Sequence, residues 1–292
     1  MAGIRSGARG TPRRGGFLVK YPGCPSEEGD REEHMATYEQ ELENFRPVIR
    51  LIGGLSLLGK TVVVRGAENF VREGPNIIVG NHIGSYKDVA ALFRVVPRPI
   101  FFTANREIFD KQSLYLLIRR YLKRHLKDFG WTVDRLITPL KRVFAGYISG
   151  NIAKIGTVPV NMRPTGKKGE AMGPCEDRVL SGRALIALQG RGRVKKKEPH
   201  PYVDNFRRGV SFIAYDLFMN HRLNVPVTPL AFYGTQRPVL VPGRVEINVG
   251  PPMFIGDHIG RDMEDTVERF RLALEARVKS LFLELIRSGR TD

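Results

Sequence analysis

The chain is 292 residues long, 42% hydrophobic, and carries 47 Lys+Arg against 30 Asp+Glu, a formal net charge of +17. The apolar fraction excludes a disordered chain, two cysteines exclude a disulfide scaffold and make a reducing compartment the simpler assumption, and no apolar run of about 18 residues is present to cross a membrane. The basic excess points to a polyanionic partner: nucleic acid, an anionic membrane or a phosphorylated substrate.

Residues 1–35 read as a disordered tail. Arg5, Arg9, Arg13, Arg14 and Lys20 stand there without an acid before residue 21, Gly and Pro are frequent, and no periodicity survives. A transit peptide starts similarly but carries more Ser. From residue 36 to 292 the chain reads as one domain. Tyr38, Leu42, Phe45, Val48, Leu51 and Leu55 recur at helical spacing. The apolar stretch Leu51 to Leu58 suits either an interfacial segment or a helix packed on the core. The period then changes. Thr61–Val64, Asn76–Val79, Pro99–Thr103, Thr157–Val160, Ala184–Leu188, Val227–Phe232 and Arg244–Val249 are short β-branched or aromatic runs bounded by turn residues, and they predict strands. Helical patterns lie between them. The alternation predicts an α/β fold with a mixed, mostly buried sheet flanked by helices.

Residues 111–154 read as a basic amphipathic helical insertion. Leu114, Ile118, Tyr121, Leu122 and Leu126 make one face of a first helix, and Arg119, Arg120, Lys123, Arg124 and Lys127 the other. Leu136, Ile137, Leu140, Val143, Phe144, Tyr147 and Ile148 repeat the apolar pattern in a second helix. Ten basic residues here face only Asp128 and Asp134. Such a pair reads as a surface for anionic lipid, or as a helical hairpin with a solvated basic face. Residues 262–286 give the clearest helix: Met263, Val267, Phe270, Leu274, Val278, Leu281 and Leu285 step by three and four, and Asp262 is placed to cap it.

The residues with chemistry begin at Asn81-His82, directly after an apolar strand. A strand feeding Gly80-Asn81-His82-Ile83-Gly84-Ser85 into a helix puts His82 at a carboxyl strand end, where ligands bind in open α/β sheets. Asp88 then falls in the first helical turn, within reach of the imidazole. A carboxylate there fixes the tautomer, and the other ring nitrogen can take a proton from a hydroxyl. A lone His–Asp pair also serves as a structural hydrogen bond. The remaining histidines lack metal-ligand spacing, Cys24 and Cys175 show no nucleophile or redox signature, and neither nucleotide-loop pattern is present, so no metal or cofactor is expected.

Three further segments follow. Ile155 to Arg163 is a strand ending in a basic residue. Leu185-Ile186-Ala187-Leu188-Gln189-Gly190-Arg191-Gly192-Arg193 is an apolar strand running into a Gly/Arg loop, with Phe206-Arg207-Arg208-Gly209 behind it. Val225-Pro226-Val227-Thr228-Pro229-Leu230-Ala231 is an apolar strand with two prolines. In this order and spacing the segments resemble the glycerolipid acyltransferase family, the lysophosphatidate acyltransferase-like enzymes. That family has an Asn-His with Asp close behind, a Gly-x-x-Pro-Val-x-Arg strand, a Phe-Pro-Glu-Gly-Thr-Arg-Ser loop followed by Phe-Lys-x-Gly, and a Val-Pro-x-x-Pro strand. The match runs from about Thr61 to Ile255.

The sequence also departs from the pattern. Five residues, not four, separate His82 from Asp88. A loop absorbs an extra residue, whereas inside a helix it would turn Asp88 by about 100°. Arg163 comes one place late. Leu188 and Gln189 replace Pro and Glu, and Thr-Arg becomes Arg191-Gly192 with Arg193 one place late. Gln keeps hydrogen-bonding capacity without the charge.

The resemblance implies an O-acyltransferase of phospholipid biosynthesis, peripheral on the cytoplasmic face of a membrane. It would move an acyl group from acyl-CoA or acyl carrier protein to the hydroxyl of a lysophospholipid or glycerol phosphate, with His82 as general base and Asp88 orienting it. Arg163, Gln189, Gly190, Arg191 and Arg193 would bind substrate, Arg193 before Arg191 as the phosphate ligand. The alternatives are a non-catalytic lipid-binding member of the same fold and a nucleic-acid-binding protein. The second is disfavoured because aliphatic residues alternate with the basic ones over 114–148 and no nucleic-acid motif is present.

Overall fold

A computed structural model describes residues 47, 49–50, 53–126, 135, 138–152, 156–160, 172–194, 200, 202–239 and 241–288, all within the unit Glu41–Asp292. The tail read over 1–35, Cys24, Arg163 and Lys195 to Lys197 lie outside the described residues. The strands are β1 (Lys60–Arg65), β2 (Asn76–His82), β3 (Ile100–Asn105), β4 (Thr157–Val160), β5 (Ala184–Gly190), β6 (Val227–Tyr233) and β7 (Gly243–Val249). The helices are α1 (Tyr86–Val95), α2 (Lys111–Leu126), α3 (Thr138–Asn151), α4 (Gly173–Leu180), α5 (Gly209–His221) and α6 (Met263–Ser288). Each strand read from the sequence is present: β2 runs three residues further, β3 begins one residue later, and the other ends differ by at most two.

The strands form one sheet in the order β1-β7-β6-β2-β5-β3-β4. All neighbours are parallel except β6 and β7, which are antiparallel. β2, β5 and β6 are central and nearly continuously apolar, as parallel strands covered on both faces must be. Pro229 sits inside β6, where a missing N–H is ordinarily excluded. Its carbonyl points toward β7 and accepts the Gly250 N–H at 2.8 Å, so the absent donor lies on that same side, where pairing with β7 has already ended at Leu230.

On one face Ala90, Ala91 and Leu92 of α1 pack on Ile78, Ile186, Leu230, Phe232 and Ile247. On the other, α6 lies over β6 and β7, and α4 against β5. Val267, Phe270, Leu274, Val278, Leu281 and Leu285 of α6 are buried as the spacing predicts, and each such side chain contributes about 1.5–3 kcal/mol. Asp262 Oδ1 caps the helix by accepting the Asp265 N–H at 2.8 Å. Met263 departs from the expected face. It stands at the first helical position, before the helix reaches the sheet, and is 47% exposed.

The insertion at 111–154 is a pair of packed helices, α2 and α3. Its facing differs from the sequence pattern. Ala145 and Ile152 are buried, and so is Lys141, whose ammonium lies 5.5 Å from the centre of the Tyr115 ring. This cation–π contact lets a lysine take an inward position. Val143 and Tyr147, expected on the core side, are 70% and 43% exposed beside Arg142. Leu116 and Leu117 of α2 are exposed as well. Among the described residues no helix is long and apolar enough to cross a membrane.

One surface of the fold carries an electrostatic cost. Glu176 of α4 is half-buried near Asp177 and near Asp216 of α5. Burial first, and these two carboxylates second, push its pKa from 4.5 up to about 7. The folded state then holds a proton that the unfolded chain has released, so stability falls as pH rises from about 4.5 to about 7. Glu176→Gln is expected to raise the melting temperature at pH 8 by about 2 °C, roughly 1 kcal/mol after discounting for solvent screening, and to leave it unchanged at pH 4 in thermal unfolding scans.

Candidate active site

Because β7 runs antiparallel to β6, the start of β1, paired as Lys60 with Gly243, lies at the carboxyl edge of β2, β5 and β6. The end of β3, from which the α2–α3 pair departs, lies at that edge too. The candidate residues collect here. His82 closes β2 in register with Gly190, which closes β5.

The chain leaves β2 through Ile83, Gly84 and Ser85 and enters α1 at Tyr86. Ser85 has φ 57° and ψ −131°, and the Lys87 N–H returns to the Gly84 carbonyl at 3.2 Å. This is a tight turn with a non-glycine residue in a conformation that glycine favours. The turn absorbs the extra residue between His82 and Asp88. Asp88 is consequently the third residue of α1, and its carboxylate reaches back over the turn. Oδ2 accepts the Gly84 N–H at 2.8 Å and the Ile83 N–H at 3.0 Å, and lies 2.8 Å from His82 Nδ1. A carboxylate flanked by donors accepts, so Nδ1 carries the ring proton and Nε2 keeps its lone pair. Asp88 is fully buried, while the His82 side chain is 24% exposed. The geometry is that of an oriented general base with its free nitrogen toward solvent.

The loop after β5 is shaped around this ring. Gly190 has φ 128° and Gly192 φ 69°, and the Gly192 N–H donates to the His82 carbonyl at 3.1 Å. A Cβ on Gly192 would stand 3.2 Å from His82 Nε2 and 3.0 Å from Ser85 Cα. Glycine at 192 therefore leaves Nε2 approachable, and its chain neighbours Arg191 and Arg193 are both exposed. Arg forks there suit phosphate oxygens. Gly192 is a residue the sequence reading passed over. Its signal was only its position between two arginines.

Gln189 is 8% exposed and holds the loop from behind. Its Oε1 accepts the Arg207 N–H at 3.0 Å and its Nε2 donates to the Ala187 carbonyl at 3.3 Å. Next to it the Phe206 N–H donates to Glu275 Oε2 at 2.9 Å, and Arg271 reaches the Phe206 carbonyl at 3.2 Å. Asn81 is likewise a tie: its Oδ1 accepts the Phe232 N–H at 2.7 Å, and its Nδ2 donates to the carbonyls of Tyr202 and Phe232. Two buried lysines brace the far wall. Lys60 Nζ donates to the Val241 carbonyl and Lys87 Nζ to the Arg237 carbonyl. Burial lowers the pKa of Lys87, the nearby Lys60 lowers it further, and Asp88 opposes both. Cys175 is buried in α4, which pushes its thiol up to about 12, so it carries no reactive thiolate. Among the described residues no three His, Cys, Asp or Glu cluster to hold a metal.

No protein-family model and no curated protein matches the sequence significantly. Among solved structures the chain is similar to the 1-acyl-sn-glycerophosphate (LPA) acyltransferase PlsC from Thermotoga maritima. The TM-score is 0.51 at 19% identity, over 82% of this chain and 79% of that one. At this identity the likeness establishes the fold: the mixed seven-stranded sheet with flanking helices is the α/β architecture expected from the sequence, shared with that acyltransferase.

The tie at Gln189 gives a direct expectation. Gln189→Ala leaves the Arg207 N–H without its acceptor and should destabilise the chain by about 1–2 kcal/mol, read by denaturant titration.

Proposed function

We propose that this protein is a membrane-surface acyltransferase. It moves an acyl group from acyl-CoA or acyl carrier protein to the hydroxyl of a lysophospholipid or glycerol phosphate. The observation that carries the reading is the His82 Nδ1 to Asp88 Oδ2 hydrogen bond of 2.8 Å at the carboxyl edge of the sheet, beside the loop in which exposed Arg191 and Arg193 flank Gly192 in the chain.

In the reaction, Nε2 removes the proton of the acceptor hydroxyl as its oxygen attacks the thioester carbonyl. The tetrahedral intermediate collapses, the C–S bond breaks, and the imidazolium returns the proton to the leaving thiolate. The products are an ester and a free thiol, with no acyl-enzyme. Asp88 stays anionic and balances the imidazolium, and this proton transfer is worth roughly 10²–10⁴-fold in rate. Arg193 and Arg191 hold the acceptor's phosphate. Arg163 remains a further candidate for that role. Gln189 and Gly190 act by fixing the loop that carries these arginines. The chemistry drawn here uses no metal or other cofactor.

The membrane part of the proposal rests on Val143 and Tyr147, exposed beside Arg142 on α3, and on Leu116 and Leu117 exposed on α2. Apolar side chains standing among cations suit the interface of an anionic bilayer and support a peripheral position on the cytoplasmic face of a membrane.

The test is an acyl-transfer assay with acyl-CoA and acyl carrier protein as donors and lysophosphatidate, glycerol 3-phosphate and a neutral lysolipid as acceptors. His82→Ala is expected to lower kcat by about 10³-fold, and Asp88→Asn by at least about tenfold. Transfer absent from folded wild-type protein with every pair would replace this reading with a lipid-binding one. Separately, Val143→Glu with Tyr147→Glu should weaken flotation with anionic vesicles about tenfold or more and leave catalysis on a soluble acceptor unchanged.

A further inference from the structure

Buried polar atoms ordinarily find partners, and those that do not call for an explanation. Asp88 Oδ1 and Thr235 Oγ1 are both buried without a hydrogen-bond partner among the described residues. They come from distant parts of the chain and meet at one point. A Cβ built on Gly84 would lie 2.7 Å from Asp88 Oδ1 and 2.5 Å from Thr235 Oγ1, so the two oxygens share the space over the Gly84 Cα. Only glycine at 84 permits this approach.

The chemistry of the two atoms is complementary. Oδ2 of Asp88 is occupied by His82 and two backbone N–H groups, whereas Oδ1 has none. A hydroxyl rotates freely and can donate. Thr235 is itself held firmly: it follows Gly234, whose N–H is taken by Gln236 Oε1 at 2.8 Å and whose φ of 92° packs the backbone against the Arg244 carbonyl. The charged groups at Asp88 are His82 from β2 and Lys87 from α1; Lys60 of β1 lies near Lys87, and Arg237 of the loop after β6 lies near Lys60. The lysine ammonium groups are directed at the carbonyls of Val241 and Arg237, not at Oδ1.

We propose that Thr235 is a positioning residue of the reaction: the two oxygens are not hydrogen-bonded in this structure, and rotation of the Thr235 side chain lets its hydroxyl donate to Asp88 Oδ1 and complete the acceptor shell of the carboxylate that orients His82. This rests on the reading of His82 as general base. A donor on Oδ1 fixes the carboxylate plane, and hence the ring. It binds the carboxylate most strongly when His82 is neutral, so it favours the base form of the imidazole. Removing it strengthens the hold of the carboxylate on the imidazolium.

Thr235→Val keeps the side-chain shape and removes the donor, and Thr235→Ser restores the donor. The first measurement needs no turnover: NMR titration of the His82 ring in folded wild type and both variants. Thr235→Val is expected to raise the ring's pKa by about 0.5 units, with Thr235→Ser at the wild-type value. An unmoved ring in Thr235→Val overturns the proposal, as does an equal shift in both variants, which would assign the effect to packing. The second measurement is kinetic. Thr235→Val should lower kcat about tenfold with KM within about twofold and displace the acid limb of the pH profile upward, and Thr235→Ser should recover most of the loss. Unchanged kcat in Thr235→Val also overturns it. If wild-type protein shows no transfer, the acyltransferase reading fails and the ring titration alone decides the role of Thr235.

Discussion

A single carboxylate oxygen organises the site. Asp88 Oδ2 draws together two backbone N–H groups of the turn and the Nδ1 of His82, all at 2.8–3.0 Å. A buried carboxylate without such donors would be strongly unfavourable. The same three bonds close the β2–α1 turn, hold Ser85 in its left-handed conformation, start the helix, and set the tautomer of the imidazole. Local folding and the geometry of the base are therefore one event. Strain at Ser85 persists because the surrounding bonds overdetermine it.

The reversed strand β7 supplies the rest. Were it parallel to β6, the connection from β6 would have to cross back over the sheet, and the start of β1 would lie at the edge opposite His82. Its reversal instead delivers the loop 234–242 and the Leu57–Lys60 turn beside α1. Lys60 and Lys87 then fasten that loop through carbonyls. Two buried lysines thus stand in the same wall as one buried carboxylate.

How far the sequence spoke depended on the range of the physics involved. The strands were legible because parallel strands covered on both faces leave short apolar runs bounded by turn residues, as in Asn76 to Val79 and Ala184 to Leu188. The pairing of His82 with Asp88 was legible because it is local: six positions, one turn and a helix start. The facing of α3 was not. Spacing alone put Val143 and Tyr147 inward, whereas the packing of α3 on another helix, with Lys141 and Arg142 over the Tyr115 ring, leaves them exposed. Thr235 and Gly192 were invisible for the same reason. Neither residue type marks a site, and both acquire meaning only when β6 and β5 bring them to His82 from more than a hundred residues away.

Gln189 bears most on the resemblance, since it stands where a glutamate is expected. Its side chain does not enter the space before Nε2. It accepts a backbone N–H from Arg207 and donates to a backbone carbonyl of its own strand. The first of these a glutamate could do equally; the second it could not. In this chain the position therefore supplies an acceptor to the segment leading into α5, and a neutral amide supplies it without leaving a charge in a site only 8% exposed. The substitution preserves the frame of the loop. What the loop then offers a substrate depends on Arg191 and Arg193, the exposed neighbours of Gly192 in the chain.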